Sequence, residues 1–220
     1  MQHVLIVAPH PDDDIIGCGG SIAKHCKAGN QVTIMYMTSG DAGGIQYSKE
    51  ELAALREDEA RKAANHLGVN NLIFLRLADG YVEFNRENLI RITCILREIK
   101  PDIVYIPHSQ EANRDHRITH QLLLEACQRA GAPFFPECGT QLWGVATILG
   151  YEVWTPIQDV YYSEDISEFM EQKRAALQMH VSQLEYYRYD EAIKGFNRYR
   201  GIMTAGCDYG ECFTLPKITI

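Results

Sequence analysis

The chain has 220 residues, 46% hydrophobic and 23% charged, a composition that predicts a soluble globular protein with a single domain over residues 1–220. A formal net charge of −8, with acidic and basic residues interspersed, disfavours a nucleic-acid partner, whose phosphates would be repelled, and favours small neutral or cationic substrates. Seven scattered cysteines without a Cys-x-x-Cys pair argue against a disulfide framework or a thiolate zinc site and fit a reducing cytoplasm. No apolar stretch approaches the roughly 18 residues of a membrane span, and no secretion signal is evident, so no membrane partner is expected.

In chain order, Val4–Val7 reads as a buried strand and Gly19–Lys27 as a helix stopped at Gly29. Val32–Met37 is a second strand and Lys49–Leu67 a helix stopped at Gly68. Leu72–Leu75 is a third strand, Arg86–Ile99 a helix ending before Pro101, and Ile103–Ile106 a fourth strand. The strands are short, continuous apolar runs, as strands covered on both faces should be, and the helices carry glycine or proline stops. Ile118–Arg129 follows as a helix, and Gly131–Gly144, with Pro133 and Pro136, as a loop forming a rim over the site. Thr147–Trp154 and Asp159–Tyr162 are further strands, Ile166–Gln183 one long amphipathic helix, and Asp190–Ile220 a tail docked on the body. Strand and helix in alternation imply right-handed crossovers and a Rossmann-like three-layer α/β sandwich with a mostly parallel sheet.

Ligands in such sheets gather where loops leave the carboxyl ends of strands at the switch point. The first strand ends in His10-Pro11-Asp12-Asp13-Asp14, and Asn113-Arg114-Asp115-His116 follows the fourth. A strand order of 3-2-1-4 makes strands one and four neighbours, so the two loops meet. His10, Asp13 and His116 can then share one ion, a borderline ligand set suited to catalytic zinc with a position open for water. Asp12, beside a ligand but free of the ion, is the best general base. The competing reading is that the histidines are unrelated polar residues and the aspartates cap helices.

His10-Pro11-Asp12-Asp13, followed by Gly17-Cys18-Gly19-Gly20, resembles the signature of the PIG-L/LmbE family of zinc-dependent N-deacetylases. Thr38-Ser39-Gly40-Asp41, Arg56 with Glu59, Asp115-His116-Arg117 and His180-Val181-Ser182-Gln183 extend the resemblance over most of the chain. It implies hydrolysis of an acetamide on an amino sugar or its conjugate, with His10, Asp13 and His116 as ligands of Zn²⁺ or iron(II) and Asp12 as base. It further implies that Arg56, and less directly Asp41, bind the sugar. Many members have a histidine three residues before the last ligand, where this chain has Asn113. An amide can donate to an oxyanion but transfers no proton at neutral pH, so Asp12 is expected to serve as base and acid unless His108 reaches the site. The alternatives are an amidase acting on a larger acyl group or a thiol-sugar conjugate, and a catalytically silent metal-binding protein.

Other features have plainer expected roles. Gly17-Cys18-Gly19-Gly20 lacks the dinucleotide spacing and is read as close helix packing. Asp14 is expected to be solvated or capping, His120 a surface or outer residue, His180 a packed, hydrogen-bonded histidine, and Glu57 part of a solvated face. The aromatic residues Tyr186, Tyr187, Tyr189, Phe196 and Tyr199 could stack on sugar faces; core or subunit contact, and with it a homo-oligomer, is the preferred expectation.

Overall fold

The computed structural model describes residues 1–44, 46–69 and 71–218. Among them, strands β1 (His3–Ala8), β2 (Gln31–Thr38), β3 (Asn71–Leu77), β4 (Ile103–Pro107), β5 (Thr147–Tyr151), β6 (Tyr162–Asp165) and β7 (Gly210–Ile218) form one seven-stranded sheet in the order β3-β2-β1-β4-β5-β7-β6. The first five strands pair in parallel, and β7 pairs antiparallel with β5 and β6. Helices α1 (Asp13–Lys27), α2 (Lys49–Leu67), α3 (Arg86–Ile99), α4 (Arg114–Ala130), α5 (Met170–Leu177), α6 (Val181–Leu184) and α7 (Tyr189–Arg200) cover the sheet. One apolar cluster, with Val4, Ile6, Ile22, Ala63 and Leu177, fills one face; another, with Leu5, Val7, Ile92, Leu96 and Leu122, fills the other. Side chains alternating along β1 go to opposite layers, which is why the strand is apolar throughout. The result is the expected three-layer α/β fold.

Helices α2 and α3 have the expected limits because their stop signals are local. Gly68 takes the left-handed conformation at φ 89°, and Ser48 with Glu51 closes a capping box at the other end of α2. Helix α1 instead begins six residues before the expected Gly19, at Asp13, and is interrupted at Cys18 (φ −146°). Its acidic first turn suits a helix amino end. Helix α4 begins at Arg114, because Asn113 Oδ1 accepts the Asp115 amide at 2.8 Å.

The glycines after β1 allow close packing, as expected. A Cβ on Gly17 would lie 2.2 Å from the Tyr151 ring, and one on Gly20 would lie 2.6 Å from Ile166.

Several expectations are corrected. The segment Gly131–Gly144 is not a rim over the site: Arg97, near the end of α3, donates to the carbonyls of Arg129, Ala132, Phe134, Phe135 and Gly139. Trp143 Nε1 donates to Pro101 O at 2.7 Å, which ties the segment to the amino end of β4, opposite the ligand-bearing loops. The same packing brings together Cys94 and Cys138, 44 residues apart in sequence, as a disulfide that spacing alone does not reveal.

The single helix expected over Ile166–Gln183 is broken between α5 and α6. The Ser182 amide and hydroxyl donate to the buried Glu59 carboxylate at 2.8 and 2.7 Å, which turns the chain at His180. Strand β6 lies three residues later than expected, and the tail contributes α7 and β7; the last two positions of that tail, Thr219 and Ile220, lie outside the described residues. Among the described residues no helix is long and apolar enough to cross a membrane.

Candidate functional site

Strands β1 and β4 are neighbours, so the loop after β1 and the first turn of α4 converge. His10 Nδ1 lies 3.0 Å and His116 Nε2 3.1 Å from Asp13 Oδ2, and donor atoms of His10, Asp13 and His116 all fall within 4.8 Å of one another. Among the described residues, Asp13 Oδ1 is buried without a hydrogen-bond partner, and the two buried ring nitrogens of His116 face carboxylates without a well-directed hydrogen bond. Buried polar atoms are nearly always satisfied, and two imidazoles with one carboxylate fit a divalent transition metal as the partner.

The nitrogens turned away from this point have carboxylates of their own. His10 Nε2 lies 3.1 Å from Asp79 Oδ1 and 3.6 Å from Asp115 Oδ2, and His116 Nδ1 lies 3.4 Å from Glu111 Oε2. A carboxylate behind a ligating imidazole orients the ring and raises its basicity.

The electrostatics agree with a cation-binding cluster. Against burial, Asp115, Asp13 and Asp79 raise the His10 pKa well above its usual range, while Asp13 and Glu111 bring His116 up to about 9. Against burial, His116 and His10 hold Asp13 well below the usual carboxylate range. The carboxylates thus favour positive charge at the imidazoles, which a bound cation would supply while displacing protons.

Asp12 is buried with φ 120°, a conformation rare for a residue with a side chain. The amides of Ile15 and Ile16 donate to its carbonyl at 3.0 and 2.9 Å, and the Asp12 amide donates to Asp14 Oδ1 at 3.4 Å. Burial pushes the Asp12 carboxyl up to about 7, against the pull of Arg56, whose Nη2 is 3.3 Å from Asp12 Oδ2. Arg56 also donates to Gly40 O at 3.0 Å and Pro11 O at 2.5 Å. Asp14 departs from expectation: it is buried, accepts the Tyr36 hydroxyl at 2.9 Å, and is raised to about 7 by burial.

These groups line a cleft of about 190 Å³ with His10, Asp12, Asp13, Arg56, Asp79, Asn113, Trp154, Gln183 and Tyr189 on its walls. Asn113 reaches it with Oδ1 already committed to the α4 cap, leaving Nδ2 to donate. His108 does not line it: Nε2 lies 2.7 Å from Thr155 O and 3.2 Å from Glu111, and Nδ1 accepts the Gln110 amide at 3.3 Å. Asp41 borders a neighbouring groove with Ser39, Glu57 and Arg76. Glu57 is not solvated; it accepts Ser39 Oγ and Arg76 Nε, each at 2.8 Å.

His120 is buried with Nδ1 2.8 Å from Pro107 O, whereas His180 is buried with neither ring nitrogen partnered among the described residues. Tyr187 and Tyr199 are exposed, while Tyr189 turns into the cleft beside Trp154.

Sequence reading did not single out Asp79 or Glu111. Asp79 stands in a turn after β3 with no neighbouring motif. Glu111, fully buried, accepts the amides of Val153, Trp154 and Thr155, contacts visible only once β5 is beside β4. A carboxylate five residues before His116 was the one available signal.

The family profile PIG-L: GlcNAc-PI de-N-acetylase matches residues 5–127, from β1 into α4 and across all three clustered side chains. The chain belongs to the PIG-L family. Similar PIG-L relatives include the diacetylchitobiose deacetylase of Thermococcus kodakarensis, 33% identical over 192 residues, which span 83% of this chain and 70% of the relative. A probable N-acetyl-alpha-D-glucosaminyl L-malate deacetylase 2 of Bacillus anthracis is 28% identical over 190 residues, spanning 83% of this chain and 81% of the relative. Among solved structures, an N,N'-diacetylchitobiose deacetylase from Pyrococcus horikoshii superposes with a TM-score of 0.88 at 31% identity, covering 97% of this chain and 83% of the other.

Proposed function

We propose that this chain is a metal-dependent hydrolase that removes an N-acetyl group from an amino sugar or amino-sugar conjugate, with Zn²⁺ as the ion and iron(II) as its alternative. The observation that carries the reading is the convergence of His10, Asp13 and His116 donor atoms within 4.8 Å of one another beside the buried Asp12. When bound, such an ion supplies a Lewis acid for the amide carbonyl and lowers the pKa of a water to about 7. Proton movement and positioning fall to the side chains.

Asp12 accepts the proton of the attacking water on its carboxylate and returns it to the nitrogen as the C–N bond breaks, so water and amide become acetate and amine. A carboxyl raised by burial to about 7 is suited to both transfers. Asn113 Nδ2 donates to the developing oxyanion. Arg56 holds Asp12 in position, and Arg56, Asp79 and Gln183 present polar groups to the sugar hydroxyls.

The test is acetate release from a panel of N-acetylated sugars, with metal content measured on the same sample. Activity is expected to be lost on chelation and restored by one equivalent of Zn²⁺ or Fe²⁺. Metal bound with no hydrolysis across the panel would favour a silent binding protein, and no metal bound under replete conditions would remove the mechanism. Glu111→Gln is expected to weaken metal binding by about 10- to 100-fold, the usual effect of losing a carboxylate behind a ligating histidine. Competition with a chromophoric chelator measures it, and an unchanged affinity would show that Glu111 does not support His116.

A further inference from the structure

A second cavity, of about 180 Å³, adjoins the catalytic cleft. Ile16, Val153, Pro156, Ile193 and Phe196 supply apolar walls, and Ala192 stands exposed at the rim. Its one charged wall residue, Glu152, is neutralised by an ion pair with Arg200 and accepts the Ile157 amide at 2.6 Å. Trp154 and Tyr189, with ring centroids 5.1 Å apart, border both spaces, so the cavity continues the cleft. Ile16 lies one helical turn beyond Asp12, its amide 2.9 Å from the Asp12 carbonyl.

Strand order sets the direction of a bound substrate. The central loops follow β1 and β4; Asp79 follows β3 on one side of them, and Trp154 follows β5 on the other. A sugar held through its hydroxyls at Arg56 and Asp79 has its amide at the centre. The substituent across the carbonyl carbon then points to Trp154, Tyr189 and the apolar cavity. That substituent is the acyl chain.

We propose that the cavity is an acyl-chain subsite, and that the enzyme hydrolyses N-acyl amino sugars with chains of about six carbons in addition to N-acetyl ones. The inference rests on the reading of the cleft as an amino-sugar N-deacetylase. The reaction is unchanged: the amide C–N bond breaks, water oxygen bonds to the acyl carbon, and a carboxylate and a free amine leave. The size is suitable, since an apolar cavity of about 150 Å³ binds benzene and a six-carbon chain is of similar bulk.

The experiment compares the metal-loaded enzyme on N-acetyl-, N-butanoyl-, N-hexanoyl- and N-decanoylglucosamine, reading the free amine. In parallel, N-acetylglucosamine hexyl glycoside carries the six carbons on the anomeric oxygen. The expected result is a rise in kcat/KM of about threefold per methylene up to hexanoyl, then a fall at decanoyl. Ala192→Phe, which fills the cavity from its exposed rim, is expected to lower hexanoyl kcat/KM at least about tenfold, the cost of a few buried methylenes, and to leave the acetyl substrate unchanged.

Acetyl turnover with hexanoyl below about a tenth of it would overturn the subsite while leaving the deacetylase reading intact. A gain confined to the hexyl glycoside would assign the cavity to the aglycone and also overturn the proposal. If no sugar is hydrolysed, the deacetylase reading fails, and quenching of Trp154 emission in a Trp143→Phe background still tests the cavity. Hexanoyl binding no tighter than acetyl binding there would overturn it.

Discussion

Asp12→Asn is expected to lower turnover by about 10²- to 10⁴-fold, the usual contribution of a positioned general acid–base, while leaving metal content and the fold in place. Asparagine has the shape of aspartate and tolerates the positive φ of 120° at this position. Neutralising the side chain removes a carboxylate that burial already pushes up to about 7 and that stands among two others, Asp13 and Asp14. Arg56 loses one partner but keeps the carbonyls of Gly40 and Pro11. The amide cannot take a proton from water, and among the described residues lining the cleft the other carboxylates, Asp13 and Asp79, are held low rather than raised. Asn113 does not titrate, His108 is turned to Thr155 and Glu111, and His10 holds Asp79 below the usual carboxylate range against the effect of burial. Steady-state rates beside metal analysis and a thermal melt check the prediction; a variant retaining more than about a tenth of wild-type turnover would remove Asp12 from the proton path.

The second large effect concerns stability. Lys173 and Glu211 form a fully buried ion pair, Nζ to Oε1 at 2.7 Å, and Lys173 also donates to Ile16 O at 2.9 Å. The two oxygens of Glu211 further accept the Gly20 amide at 2.8 Å and the Ser21 amide and hydroxyl at 2.8 and 2.6 Å. This knot joins α1, α5 and β7, elements with no local claim on one another. Lys173→Met is expected to destabilise the chain by about 3–5 kcal/mol, since it leaves a carboxylate buried beyond water. Glu211→Leu is expected to cost more, because it strands the ammonium together with two amides and a hydroxyl. The double variant is expected to lose less than the sum of the two, as coupled partners do. Urea unfolding in the presence of a chelator, which keeps metal linkage out of the result, gives the three values. Costs below about 1 kcal/mol for both single variants, as for an exposed pair, would refute this account.

Where local chemistry dominates, the sequence itself specifies the element. Gly68 and the Ser48–Glu51 box limit α2 wherever it packs, and β1 to β4 are apolar on both faces because helices cover both. Strand β7 carries no such local signal, for an equally physical reason. It contains Glu211, whose charge is matched by Lys173 38 residues away, and Pro216, which argues against a central strand. Pairing with β6 stops at Phe213, so Pro216 lies where β7 has β5 alone as neighbour, and a missing amide is tolerated there. The break at His180 was likewise invisible, because the acceptor that turns the chain, Glu59, is on another helix.

The same division runs through the site. Residue types and order were enough to nominate His10, Asp12, Asp13 and His116, and the parallel α/β pattern was enough to bring their loops together, because a switch point follows from strand order. Tertiary structure alone decided that Asp79 and Glu111 stand behind the two imidazoles, that His108 is withdrawn from the cleft, and that Asp14 is buried. It also decided that Trp154 and Tyr189 connect the cleft to an apolar cavity. A short motif encodes its own loop, whereas a buried carboxylate's partner, a ring's facing and a cavity's walls depend on residues far apart in sequence that packing makes neighbours.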